Sequence, residues 1–170
     1  MKRFFCMMIA SIMTLTVTAC SDKETEIQMP ANFYYCNADI EYDSEHGVIA
    51  SEVRETAEYH DDFIALINHY MQGPSSSMLV SPFSSGSSVV QINQNGSEII
   101  LIMNLQFAQL TGLNLSLACI CLCKTVFSLT SAETITIRCR DSSLDGKASI
   151  NIKRDSILLQ DKILTRPPAD

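Results

Sequence analysis

The stretch Val89-Val90-Gln91-Ile92-Asn93-Gln94-Asn95-Gly96-Ser97-Glu98-Ile99-Ile100-Leu101-Ile102-Met103 decides the fold. Two runs rich in β-branched residues flank Asn-Gly, the dipeptide most strongly tied to a two-residue hairpin turn. With the turn at Asn95-Gly96, strands over 89–94 and 97–103 place Val90, Ile92, Ile99, Leu101 and Met103 on one face, apolar throughout. The opposite face carries Val89, Gln91, Asn93, Glu98, Ile100 and Ile102, a mixture. One face of this hairpin packs and the other is partly wet.

Working downstream, a short segment over 104–112 leads to LNLSLACICLCKTVFSL at 113–129. Its length and lack of Gly or Pro predict a helix that is apolar around most of its girth. It falls short of the roughly 20 residues of a membrane span and is interrupted by Lys124. Strict alternation predicts a strand over 134–140, Asp145-Gly146 a turn, and ASINIK at 148–153 a further strand. Residues 155–170, ending Arg-Pro-Pro-Ala-Asp, read as a frayed tail.

Upstream, the Ser-rich connection at 75–88 contains Ser81-Pro82-Phe83 and Gly86. Before it, Phe63, Ile64, Leu66, Ile67, Tyr70 and Met71 follow the helical period, with Asp61-Asp62 suited to the positive end of the helix dipole. Gly73-Pro74 ends that helix, Gly as a positive-φ cap and Pro as a block to continuation. Strands are expected over 33–36 and 48–53, with a loop between them carrying Asp39, Glu41, Asp43 and Glu45. The class is mixed α/β (α+β): one small domain over 32–154, with two helices packed on a small mixed or antiparallel sheet.

The first thirty residues are of another kind. Met1-Lys2-Arg3 is a basic start and 4–17 is apolar apart from Ser and Thr, the n-region and h-region of an export signal. The run closes on Val17-Thr18-Ala19-Cys20, which resembles the lipobox of bacterial lipoproteins, although Leu is commoner than Val at its first position. That resemblance implies removal of residues 1–19, diacylglycerol on the Cys20 thiol, and a flexible tether over 20–31. It also implies a place on the outer face of the bacterial cytoplasmic membrane. Lipid chains rather than a spanning helix would then hold the protein, and two or more are needed for stable residence.

Composition narrows the function. The chain has 170 residues, 12 Lys+Arg against 19 Asp+Glu, and a net charge of −7. Loss of residues 1–19 takes away Lys2 and Arg3, leaving ten basic residues and a charge of −9. Nucleic acid is not an expected partner, because phosphate affinity comes mainly from Lys and Arg. An acidic domain tethered at an anionic lipid surface is pushed outward from it.

Reactive side chains supply no catalytic signature. Cys119, Cys121 and Cys123 alternate along a helix, so Cys121 points away from the other two and only two sulfurs share a face. Strong zinc signals pair one Cys-x-x-Cys with another, so small buried side chains are expected here. Once Cys6 is cleaved and Cys20 lipidated, five thiols remain. Five cannot all pair within the chain, and free thiols outside the cytoplasm point to a host living without oxygen. The Ser-rich connection has no neighbouring base, and no G-x-S-x-G elbow occurs. His60-Asp61-Asp62 reads as a helix start, and the acidic loop as solvated rather than cation-binding. Asp141 to Gly146 resembles a calcium loop, but its twelfth position is Ile152 where a bidentate Glu is required.

The order of elements resembles the GerM domain family of sporulation and germination lipoproteins. Tyr70-Met71-Gln72-Gly73-Pro74 looks like that family's helix end, and Leu79-Val80-Ser81-Pro82-Phe83-Ser84-Ser85-Gly86 like its approach to the Asn95-Gly96 hairpin. Leu117-Ala118, Leu122, Thr125-Val126, Leu129 and Thr134-Ile135-Thr136-Ile137 resemble its second helix and following strand. The three alternating cysteines and the acidic loop depart from the family pattern. The resemblance implies a small α/β sandwich and kinship with ring-building motifs, domains that polymerise in spore-envelope channels. It implies no catalytic residue and no metal, and no cofactor beyond the covalent lipid on Cys20. The expected role is a non-catalytic envelope lipoprotein acting through protein contact. Its expected partners are other envelope proteins, a second copy of itself, or peptidoglycan. A small solute- or cation-binding lipoprotein is the alternative.

Overall fold

The computed structural model describes residues 30–38, 47–59 and 61–157. The leader, Cys20, the tether up to residue 29, the acidic loop from Asp39 to Glu45, His46, His60 and the tail beyond 157 lie outside the described residues.

β1 (Ala31–Asn37) is the centre of a three-stranded antiparallel sheet. β2 (Ile49–Arg54) pairs along its whole length, from Ala31 opposite Arg54 to Cys36 opposite Ile49. β3 (Leu79–Val80) pairs on the other side, only at Cys36 and Asn37. Alternation along β1 sends Ala31, Phe33 and Tyr35 into the core. A 3₁₀ turn, Ala57–Tyr59, leads from β2 to helix α1 (Phe63–Met71). Asp62 caps α1, its Oδ1 accepting the Ala65 N–H at 2.8 Å. Leu66, Ile67, Tyr70 and Met71 form the buried face.

β4 (Val89–Asn95), β5 (Glu98–Met103), β6 (Thr134–Cys139) and β7 (Ile150–Lys153) form the second sheet in that order. β4–β5 and β6–β7 are antiparallel, and β5–β6 is parallel. A parallel pair needs a long crossover. Here it consists of α2 (Leu105–Ala108) and α3 (Gly112–Leu129). Ile99, Leu101, Met103, Ile135 and Ile137 line the inner face and join residues of β1, α1 and α3 in one core that also includes Ile157.

α3 is long and apolar enough to cross a membrane by length and composition, but most of it is buried in the protein. Leu115, Ala118, Leu122, Val126 and Leu129 are core residues, so α3 is the core helix of this domain. It also closes the stretch of β1 that β3 does not reach. Ser128 Oγ donates to Asn32 O at 2.8 Å and Thr125 Oγ1 accepts the Tyr34 N–H at 3.0 Å. Tyr70 OH donates to Tyr34 O at 2.6 Å. Three hydroxyls thus satisfy main-chain groups that would otherwise form an open strand edge.

The mixed α/β class holds, and the structure differs from the sequence reading in several particulars. The strands divide between two sheets rather than one. The hairpin turn is Gly96-Ser97, with Asn95 opposite Glu98. Gly96 has φ +61°, which fits Gly at the first position of a type II′ turn. Ile92 therefore pairs with Leu101 rather than Ile99, a two-residue slide that keeps the side chains from Gln91 onward on their expected faces. A bulge between Val89 and Gln91 does reverse one pair. Val89 is buried at 2% exposure and Val90 lies outside at 39%. Residues 75–88 contain β3, and residues 104–112 contain α2, neither expected from the sequence.

Candidate functional site

The residues that the sequence motifs single out fall into two groups. Gly73 and Pro74 follow the C-terminal end of α1, Ser81-Pro82-Phe83 returns to it with Ser81 beside Gly73 and the Phe83 ring on Tyr70, and Gly86 lies beside α2. Asn95 and Gly96 sit apart from them, exposed at the tip of the β4–β5 hairpin. There Ser97 O accepts the Glu133 N–H at 2.8 Å, tying the tip to the start of β6.

The first group is held by side chains that carry no local signal. Arg54, at the end of β2, donates from Nη2 to Gly73 O at 2.7 Å and to Tyr35 OH at 3.1 Å. Its guanidinium also binds the Glu52 carboxylate, from Nε at 2.7 Å and from Nη2, and lies 5.3 Å from the centre of the Phe33 ring. Glu52 in turn accepts the Ser75 N–H at 3.0 Å and the Ser76 N–H at 3.0 Å. Tyr35 OH completes the knot, donating to Tyr70 O at 2.8 Å. β2 thus clamps the Gly73-Pro74 turn through an ion pair and a set of main-chain bonds.

These contacts set the ionisation of the cluster. Burial opposes charge on Glu52, but the bonds from Ser75, Arg54 and Ser76 outweigh it and hold the carboxyl below its ordinary value of 4.5. Burial is the main cause that raises the Tyr35 and Tyr70 phenols, keeping both neutral. A depressed carboxylate stabilises the fold above its unfolded pKa, and that contribution is lost as pH falls through the folded value. Urea denaturation of wild type and Glu52→Gln at pH 7 and pH 4 should therefore show the wild-type advantage shrinking at the lower pH. An advantage that grew on acidification would contradict the clamp.

Gly73 has φ +123°, a region that side-chain-bearing residues rarely adopt. A Cβ there would meet Ser81 Cβ at an ordinary 3.8 Å, so the constraint is conformational. Gly73→Ala should cost about 1–3 kcal/mol in unfolding free energy, measured by chemical denaturation. Ser81 Oγ accepts the Phe83 N–H at 3.3 Å, and the Phe83 ring meets Tyr70 edge-on with centroids 5.2 Å apart. Gly86 O accepts Asn104 Nδ2 at 2.7 Å. Asn104 Oδ1 also takes the Ser88 and Phe107 N–H groups, so one amide caps α2 and anchors the connection. The serine hydroxyls serve turns as well: Ser84 Oγ lies 2.7 Å from Ser87 Oγ and donates to Gln106 O at 3.0 Å.

The reactive candidates are placed as follows. Cys36, Cys119, Cys121, Cys123 and Cys139 are free and buried. Burial pushes the Cys119 thiol up to about 12 and raises Cys123 as well. Cys121 lies on the side of α3 that meets β1, and its thiol and that of Cys36 influence each other's ionisation. The helical period could have exposed this, because Cys121, Thr125 and Ser128 share one face. His69 stacks on Tyr59 at 5.2 Å. Asp145 forms a tight turn with Gly146 and accepts the Gly112 N–H at 3.3 Å, at the start of α3. Among the described residues, no three His, Cys, Asp or Glu side chains are grouped to hold a metal ion.

The chain has no matching family profile, and no curated protein matches it. Its fold is that of a GerMN domain. The tandem GerMN domains of the sporulation protein GerM from Bacillus subtilis superpose with a TM-score of 0.53 at 20% identity, over 71% of this chain and 43% of that one. The chain thus spans less than half the length of that tandem structure. A Clostridium perfringens protein assigned as a lipoprotein aligns with a TM-score of 0.44 at 13% identity, over 74% of this chain and 90% of that one.

Proposed function

We propose that the protein is a non-catalytic, lipid-anchored module of the cell envelope that works by polypeptide contact, in sporulation, germination or cell-wall processes. Cys20 carries the lipid, and the acidic domain stands away from the outer face of the cytoplasmic membrane. The GerMN-like fold and the lipobox-like Val17-Thr18-Ala19-Cys20 support this reading.

The observation that carries the contact role is the outer side of β4. Among the described residues β4 has β5 as its one strand neighbour. On the other side, Asn68 brackets Val89 alone, donating to its carbonyl at 3.0 Å and accepting its N–H at 2.8 Å. A strand edge of this kind is a template for an added strand. β1, by contrast, is closed by hydroxyls and by β3.

A photo-cross-linking residue at Asn93 in the full chain, expressed in its own envelope, tests the role. Discrete polypeptide adducts at Asn93, absent from a control position on α3, are expected. Adducts that form equally at both positions, or a small ligand that co-purifies in place of any polypeptide, would favour the solute-binding alternative.

A further inference from the structure

Cys36 and Cys121 lie 85 positions apart in the chain and meet across the β1–α3 contact. Three consecutive steps bring them together. Asn32 is bonded to Ser128 and Tyr34 to Thr125, and one further step along each element sets Cys36 level with Cys121. Steps of two along the strand match steps of three and four along the helix, so strand and helix run antiparallel with one face of each in register. The backbone frame therefore sets the two cysteines at one level of the β1–α3 contact.

The rest of the cysteine set is arranged differently. Cys119 and Cys123 belong to the core cluster of α3. The Cys139 thiol donates to Asn104 O at 3.3 Å. Cys36 is also the more accessible partner, 7% exposed against 0% for Cys121. It lies opposite Val80 in the two-residue strand β3, whose Val80 is 51% exposed. Only two pairings hold β3 to this end of β1, a small local unit of the kind native proteins open readily.

We propose that Cys36 and Cys121 form a redox-modification site, a dithiol that a disulfide donor converts to an intramolecular disulfide pinning β1 to α3. The Cys36 thiolate attacks one donor sulfur, breaking the donor's S–S bond and releasing one donor thiol. Cys121 then loses its proton and attacks Cys36 Sγ, closing the bond and releasing the second donor thiol. Two electrons pass from the protein to the donor, which leaves as two thiols. Cys121 holds the Cys36 thiol below its ordinary value against the effect of burial, which favours Cys36 as the attacking group. Closure needs the sulfurs to reach about 2.05 Å with a near-perpendicular dihedral.

Exposure to such donors in the cell rests on the proposed export. The chemistry is therefore tested on the purified full chain, so that failure of either idea is read separately. The reduced, folded protein is treated with oxidised glutathione, remaining thiols are alkylated in denaturant, and the digest is mapped without reduction. A peptide joining Cys36 to Cys121 is expected in most molecules, retained in Cys119→Ala and lost in Cys121→Ala. Full alkylation of both cysteines in the wild type, or a crosslink mapping to another pair, would overturn the assignment.

Discussion

Tyr70→Ala is expected to lower the unfolding free energy by about 4 kcal/mol, the largest effect of any single truncation considered. The side chain is fully buried, and its ring packs on Phe33, Tyr35 and Phe83 at centroid separations of 5.4, 4.9 and 5.2 Å. Removing a buried aromatic ring loses its transfer energy and leaves a cavity, together worth about 3–5 kcal/mol. It also removes the bond from Tyr70 OH to Tyr34 O. Tyr70→Phe separates the two effects, keeping the ring and costing about 1–2 kcal/mol for the lost hydrogen bond. Since domains are stable by about 5–15 kcal/mol, Tyr70→Ala should bring the protein near the limit of folding. Urea denaturation of both variants measures this. Equal losses for Phe and Ala would show that the hydroxyl, not the ring cluster, holds the sheet to α1.

Arg154→Ala is expected to be nearly as damaging, at about 2–4 kcal/mol. Its guanidinium donates to Phe127 O at 3.0 Å, Thr130 O at 2.7 Å and Ala132 O at 2.8 Å, and lies 4.7 Å from the Phe127 ring centre. The last carbonyls of a helix lack intrahelical partners and form the negative end of its dipole, so a cation forked across them meets both needs. Hydrogen bonds to a charged group contribute about 1.5–3 kcal/mol each and do not add fully. Arg154→Lys should recover only part of the loss, because an ammonium cannot reach three divergent acceptors with a planar fork. A lysine variant as stable as wild type would reduce the role of Arg154 to charge alone.

The sequence revealed elements that announce themselves locally. The α1 stripe from Phe63 to Met71, the apolar α3 and the alternating Thr134 to Cys139 form where their periods place them, and the hairpin forms with its turn one residue later than expected. What escaped depends on distant partners. β3 is two residues long and exists only because Cys36 and Asn37 pair with it. α2 is a four-residue helix, begun by an Asn104 amide that also holds Ser88 and Gly86. The bulge at Val90 has no residue of its own to mark it.

The candidate site divides the same way. Gly73 was legible because a helix end with positive φ asks for glycine. Its clamp was not, because Glu52 and Arg54 sit two apart on a short strand and their acceptors and donors lie some twenty residues on. Arg154 fell at the expected domain edge, where no periodicity points to three carbonyls in another element. The Cys36–Cys121 contact needed the β1–α3 register, which only the tertiary fold supplies.

The proposed role stands on Cys20, since outward presentation of an acidic domain has meaning only for a tethered chain. Metabolic labelling of the full chain with an alkyne fatty acid, followed by capture and detection of the protein, tests this most directly. The account predicts a labelled protein in the wild type and complete loss of label in Cys20→Ser. Label that persists in Cys20→Ser, or a wild-type protein that never acquires it, would contradict the anchor and the envelope role built on it.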